Sequence, residues 1–246
     1  MFERIVCGVD GSAASVEAAR QADLVLADGG RLVLVAAIDL SDAIHFQIAP
    51  TAVHAARRAL EKAEELDRLA HEALARARTE VVRAHEPVTV EVSGEPSRCL
   101  AETATAEGAS LIAVGSHGLR RIEEVTVGSV TARLLRHAPC SVLVARAPAQ
   151  GRWTPRRIVV GTDGSEAAAG AVAVAATLGE RLTATVETVS IEHQRAAPGL
   201  LEAAAGADLV VVGHRGRHGA RLLGSVSERV AHSARCSVLV IRDENV

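Results

Sequence analysis

The chain repeats itself. Ile5-Val-Cys-Gly-Val-Asp-Gly-Ser12 returns as Ile158-Val-Val-Gly-Thr-Asp-Gly-Ser165. Gly128-Ser-Val-Thr131 returns as Gly224-Ser-Val-Ser227, and Cys140-Ser-Val-Leu-Val144 as Cys236-Ser-Val-Leu-Val240. Three matches in one order imply an internal duplication, so one fold has to serve both copies. Ala147 to Pro155 is rich in proline and small or polar residues, the composition of a linker. The expected division is a complete unit over 1–147, a linker over 148–155 and a second unit over 156–246.

The second unit is shorter. Asp10 and Gly115 stand 105 positions apart, whereas Asp163 and Gly213 stand 50 apart. The first copy shows what lies in that interval. Arg31 to Asp39 is an apolar strand, and Thr51 to about His85 repeats apolar residues (Val53, Leu60, Leu66, Leu74) at helical spacing. Pro87 to Val92 then alternates like a strand. In the second copy a helix from Ser165 to about Leu178 runs into a single strand, Thr183 to Ile191. A short helix near Leu200 and the strand Asp208 to Val212 follow. The missing piece is read as strand two plus helix two, with helix two plus strand three as the alternative. Strands alternating with helices predict an α/β fold with an open parallel sheet covered on both faces. Ser12 and Ser165 stand where helix N-caps are expected.

The chemistry-bearing segment is Gly115-Ser-His-Gly118, then nine residues, then Gly128-Ser129. It lies between an apolar strand, Ser110 to Val114, and a helical stretch, Val130 to His137. Glycines let a backbone approach a ligand closely, and the free N–H groups of a helix start favour an anion such as phosphate. The spacing is neither that of the dinucleotide fingerprint nor that of the Walker loop, and the loop has no lysine.

This pattern, with the strand Ile5 to Ser12 and the ending Ala138-Pro-Cys-Ser-Val-Leu-Val144, resembles the universal stress protein family and its nucleotide loop G-x2-G-x9-G-[ST]. The resemblance implies the strand order 3-2-1-4-5, which places the carboxyl ends of strands one and four at a ligand crevice. It implies ATP, with or without Mg2+, or another adenine nucleotide such as cyclic AMP. The residues it assigns to the ligand are Gly8, Asp10, Ser12, Ala37, Val114, Gly115, Gly118, Gly128, Ser129 and Val130. Asp10 would serve the ribose or base, Ala37 and Val114 the adenine, and the loop with the Ser129 hydroxyl the phosphates. The resemblance also implies pairing of strand five, Ser141 to Val144, with Ser237 to Ile241. The result is an intrachain pseudo-dimer. Shortening the second copy is expected to leave apolar surface exposed near the missing strand and helix, which would favour further dimerisation between chains.

Each of these residues also has a plainer reading. The loop could be a tight turn with Ser129 capping a helix, and Asp10 could cap helix one. His117 and His214 read as solvated loop residues. His214 and His218 are four apart in a loop with no further ligands nearby, so no metal site is expected. In the second copy only seven residues separate Gly216 from Gly224, and Arg215, Arg217 and Arg221 make that loop basic.

Composition narrows the function classes. The net charge of −3 and the absence of tyrosine, with two Phe and one Trp, give no electrostatic or stacking basis for nucleic-acid binding. No apolar run has the length of a membrane span, and the start reads as a strand rather than a signal peptide, so a cytoplasmic protein is expected. Cys7, Cys99, Cys140 and Cys236 have no C-x-x-C spacing and read as buried reduced thiols, with Cys7, Cys140 and Cys236 in or beside strand sequence. No residue is assigned to catalysis, because Lys62 is the single lysine and no base is positioned. The related ATP pyrophosphatases carry a longer serine- and glycine-rich loop after strand one than Gly11-Ser12-Ala-Ala-Ser15. Binding without turnover is therefore expected, the rivals being a nucleotide-free interaction protein acting through strand five and, less favoured, a nucleotide-hydrolysing enzyme.

Overall fold

The computed structural model of the chain describes residues 1–39, 52–82, 86–118, 127–148, 151–191, 196–214 and 223–242. Consecutive residues along the strands are buried: Ile5, Val6 and Cys7 in one, Leu111, Ile112 and Ala113 in another. A strand apolar at every position must be covered on both faces, which is the situation of a parallel sheet flanked by helices.

The strands of the first copy are β1 (Phe2–Gly8), β2 (Leu26–Ile38), β3 (Val88–Ser93), β4 (Leu111–Gly115) and β5 (Ser141–Ala145). Between them run α1 (Ala13–Val25), α2 (Ala52–Glu80), α3 (Pro96–Glu107) and α4 (Ser129–His137). The second copy has β6 (Arg157–Thr162), α5 (Glu166–Leu182), β7 (Thr185–Ser190), α6 (Ala196–Ala203), β8 (Leu209–Gly213), α7 (Ser225–Ser233) and β9 (Ser237–Ile241). All nine strands form one sheet in the order β3-β2-β1-β4-β5-β9-β8-β6-β7. The first copy thus has the expected order 3-2-1-4-5.

One core lies on the face of α1, α2 and α5, built from Ile5, Leu34, Leu74, Leu111, Leu178 and Leu209. The other lies under α3, α4, α6 and α7 and includes Val6, Leu100, Leu134, Leu200 and Val230. The copies meet through β5 and β9, which pair antiparallel with Leu143 opposite Leu239. Every other strand pair is parallel. The edge that strand five would otherwise expose is therefore closed within the chain.

Four details depart from the sequence reading. First, β7 pairs in parallel with β6, Gly161 opposite Val189, just as β2 pairs with β1, Gly8 opposite Val35. The second-strand place is filled, and the absent pieces are the counterparts of α2 and β3. The assignment of the loss to strand two plus helix two is therefore corrected to the alternative, helix two plus strand three. Second, the surface left bare beside β7 is not an apolar patch. Thr185, Glu187, Thr188 and Ser190 are exposed there, and Val186 is the exposed large apolar side chain among the described residues of that strand. Polar residues on a strand that has lost its covering helix remove the apolar-surface argument for dimerisation between chains. Third, β2 starts at Leu26 rather than Arg31, with a register shift between Phe2 and Arg4 that takes up Gly29 (φ +75°) and Gly30. Fourth, Trp153 of the linker stretch is 4% exposed in the core, and its indole Nε1 donates to the Asp208 carbonyl at 3.1 Å.

Of the residues named from sequence, Arg215, Arg217, His218 and Arg221 lie outside the described residues, as does the side chain of Val53.

Candidate functional site

Parallel strands end on one side of the sheet, and helix starts gather there. At the end of β1 the chain turns through Gly11 (φ +80°) into α1. Ser12 caps that helix, its Oγ accepting from the Ser15 N–H at 3.1 Å. The Asp10 carboxylate accepts from the Ser12 N–H through Oδ1 at 3.0 Å, and the Asp10 N–H donates to Ser15 Oγ at 3.2 Å. Asp10 is thus held by the turn, while its carboxylate stays solvent-exposed.

Opposite it, β4 ends at Gly115. The Ser116 N–H donates to the Ala145 carbonyl at 3.0 Å, and the Ser116 hydroxyl and His117 Nδ1 are 2.9 Å apart. The chain returns at Gly128, whose N–H donates to the Ser116 carbonyl at 2.8 Å, and the buried Thr131 hydroxyl donates to the Gly115 carbonyl at 2.8 Å. Gly128 is the N-cap of α4 and Ser129 its first residue, so Ser129 does not cap the helix. Among the described residues no side chain caps α4. Its first N–H groups, with the positive end of the helix dipole behind them, point at the cleft.

The glycines of this region do different work. A Cβ on Gly115 would lie 2.7 Å from the Ala14 backbone, so this glycine lets α1 lie against the end of β4. A Cβ on Gly8 would lie 2.8 Å from Leu100, which leaves Leu100 and Val114 room to form an apolar wall. A Cβ on Gly118 would lie 2.6 Å from Asp10 Oδ2, which brings the loop and the carboxylate of strand one together. A Cβ on Gly128 would come no nearer than 3.5 Å to any of its neighbours, His117 Cα first, so its absence leaves a gap rather than relieving a clash.

These elements enclose a cleft of about 470 Å³. Gly8, Asp10, Ala37, Val114, Gly115, Gly118, Gly128, Ser129 and Val130 all line it. Ser12, also assigned from sequence, does not; its hydroxyl is spent on the helix cap. Val9, Val35, Pro96 and Leu100 complete the apolar side, and Ser15, His117 and Thr131 complete the polar side. These seven were not foreseen. Val9 and Ser15 flank the strand-one motif, but Pro96 and Leu100 come from α3, which carries no motif. Among the described residues, the lining includes one carboxylate, Asp10, and neither lysine nor arginine.

The second copy repeats the scaffold but not the space. Asp163 Oδ1 accepts from the Ser165 N–H at 3.0 Å, and Ser165 caps α5. Gly224 is an N-cap without a side-chain bond, and the Ser227 hydroxyl donates to the Gly213 carbonyl at 2.6 Å. His214, in the place of Ser116, is buried, so its sequence reading as a solvated loop residue is corrected. Ile191 stands where Ala37 stands in the first copy. A Cβ on Gly161, the counterpart of Gly8, would lie 2.6 Å from Ile191 Cδ1 and 2.7 Å from Leu200 Cδ2. Leu200 stands over Gly161 as Leu100 stands over Gly8, so the added bulk is Ile191, which occupies volume that Ala37 leaves open.

The model of the universal stress protein family matches residues 1–146 and 180–242. The chain belongs to this family. A universal stress protein of Mycolicibacterium smegmatis is 30% identical over 184 residues, spanning 55% of this chain and 63% of the relative. One of Thermus aquaticus is 31% identical over 147 residues, 59% of this chain and the whole of the relative. Among solved structures, a universal stress protein from Archaeoglobus fulgidus superposes with a TM-score of 0.69 at 17% identity, covering 98% of both chains, a likeness of fold. The match thus spans less than two thirds of the Mycolicibacterium relative, and of a Staphylococcus epidermidis relative only 24%.

Elsewhere, the four cysteines are free. Burial pushes the Cys7 and Cys140 thiols up to about 12 and Cys236 to about 11. Among the described residues no helix is long and apolar enough to cross a membrane. Asp67, His71 and Glu91 bring potential ligand atoms within 4.8 Å of one another. The His71 side chain is 71% exposed and lies 2.9 Å from Glu91, an arrangement of a solvated surface pair.

Proposed function

We propose that the first copy binds an adenine nucleotide, foremost ATP, and that the family member built on it is a cytoplasmic, nucleotide-responsive regulator rather than an enzyme. The observation that carries this is the meeting of three features on one cleft: an uncapped helix N-terminus, a carboxylate at the close-approach glycine Gly118, and an apolar wall. Val35, Ala37, Leu100 and Val114 would take the base. Asp10 would accept from ribose hydroxyls, and the N–H groups at the start of α4, with the Ser129 hydroxyl, would take phosphate oxygens. Among the described residues of the wall there is a single carboxylate and no cationic side chain, which supplies little stabilisation for phosphoryl transfer and favours binding over turnover; Arg120 and Arg121 of the loop lie outside the described residues.

The second copy, 156–246, is on this reading a partner unit joined to the complete unit, 1–147, through 148–155. Ile191 over Gly161 is the reason it would bind no nucleotide. Titration calorimetry with ATP tests the reading: saturable binding to the intact chain is expected, and none up to about 1 mM ligand would overturn it.

A further inference from the structure

The residue after each copy's last strand crosses into the other copy. Arg146 follows β5. Its Nη2 donates to the Ala231 carbonyl in the last turn of α7 at 2.6 Å, and its Nη1 to the Cys236 carbonyl at 3.2 Å. Arg242 follows β9, and its Nη2 donates to the Leu135 carbonyl in the last turn of α4 at 2.8 Å. The backbones are anchored the same way. The Arg146 N–H donates to Ser237 Oγ at 3.0 Å, and the Arg242 N–H to Ser141 Oγ at 3.1 Å. Each arginine thus places a cation on carbonyls that a helix leaves without partners at its C-terminus, where the dipole favours positive charge. The second copy holds α4 at another point as well, through Glu228 and Arg136 at 2.7 Å.

The two clamped helices differ at their other ends. The N-terminus of α4 faces the open cleft, whereas in the second copy Ile191 stands over Gly161, where the first copy has Ala37. A helix of nine residues is short and stiff, so a hold on its C-terminus fixes where its N-terminal N–H groups stand. We propose that Arg242 is a positioning residue for the nucleotide site, and that through it the second copy sets the affinity of the first. This rests on the nucleotide reading above. It gives the shortened copy a task that needs no ligand of its own: it keeps the strand, the arginine and the acidic residue that grip α4, and dispenses with the elements farthest from that grip.

The test compares Arg242→Ala, Arg146→Ala and Arg242→Lys in the intact chain. ATP affinity is read by calorimetry, and amide hydrogen exchange over residues 129–137 is read without nucleotide. Arg242→Ala should weaken ATP binding about tenfold, within the usual range of coupling between sites. Arg146→Ala removes a similar buried arginine from the same seam and should leave affinity within about twofold. Lysine keeps a cationic donor for a single carbonyl, so Arg242→Lys should recover most of the affinity. Unchanged affinity in Arg242→Ala would overturn the proposal, and so would equal weakening by both alanine variants, which would reflect the seam alone. If the unsubstituted chain binds no ATP, the nucleotide reading fails by itself. The clamp is then judged by exchange, which should quicken over 129–137 in Arg242→Ala and not in Arg146→Ala; no difference between them overturns it. Should Arg242→Ala not fold, Arg242→Met keeps the apolar stem, drops the donors and is judged by the same outcomes.

Discussion

Replacing Gly118 by alanine tests the junction between loop and carboxylate. The new Cβ would stand 2.6 Å from Asp10 Oδ2, where contacts under 3.0 Å are essentially never seen. The loop or the carboxylate must move by several tenths of an ångström. Asp10 is solvent-exposed and Gly118 has ordinary backbone torsions, so folding loses little, under about 1 kcal/mol. Binding loses more. A hydrogen bond to a charged group is worth about 1.5–3 kcal/mol, so displacing the carboxylate from the ribose should weaken ATP about ten- to hundredfold. Gly118→Val adds bulk at the same point and should abolish measurable binding. Calorimetry gives the affinity, and a thermal melt confirms the fold. Unchanged affinity in both variants, with the melt intact, would show that this junction does not touch the ligand.

Other outcomes follow from the same geometry. Val240→Pro interrupts β9, which pairs with β5 on one side and β8 on the other; it should lower the unfolding free energy read from denaturant titration by more than the about 1 kcal/mol of an average substitution, and an unchanged value would count against the continuous sheet. Gly179→Ala in α5 gains about 1 kcal/mol of helix propensity, but the added methyl overlaps Val186 and lies 3.1 Å from the Ala184 carbonyl. It should therefore lower the melting temperature, and a rise would refute the packing. Burial raises Cys7, Cys140 and Cys236 in the folded state, so the unfolded chain loses thiol protons first as pH climbs past about 9. Stability should fall between about pH 9 and 12, with no tyrosine to share the effect, and replacing the three by alanine should flatten that slope as read by melts across the range.

The duplication was plain because its motifs sit at strand ends, where glycine and a short polar residue are needed locally. Strand order was not written in any periodicity; it came with the family resemblance. The boundary of β2 was missed because Asp28, Gly29 and Gly30 look like a turn, and they do form a bulge, but hydrogen bonding resumes at Leu26 before it. The lost segment was misassigned because a lone strand after helix one has no local mark of which neighbour it joins; pairing with β6 decides that. Asp10, Gly118 and Gly128 were legible as a site, whereas Pro96 and Leu100 reach it only through the packing of α3. Arg146 and Arg242 looked like ordinary charges after a strand. Their role depends on the antiparallel seam, which no stretch of either copy contains alone.

The account turns on one nucleotide in one copy. Equilibrium dialysis of ATP against the intact chain, repeated with Ile191→Ala, tests this directly. One site per chain is expected in the unsubstituted protein, lost with Gly118→Val and unaffected by Ile191→Ala at the first cleft. Two equivalent sites in the unsubstituted chain, or one that survives Gly118→Val, would contradict it.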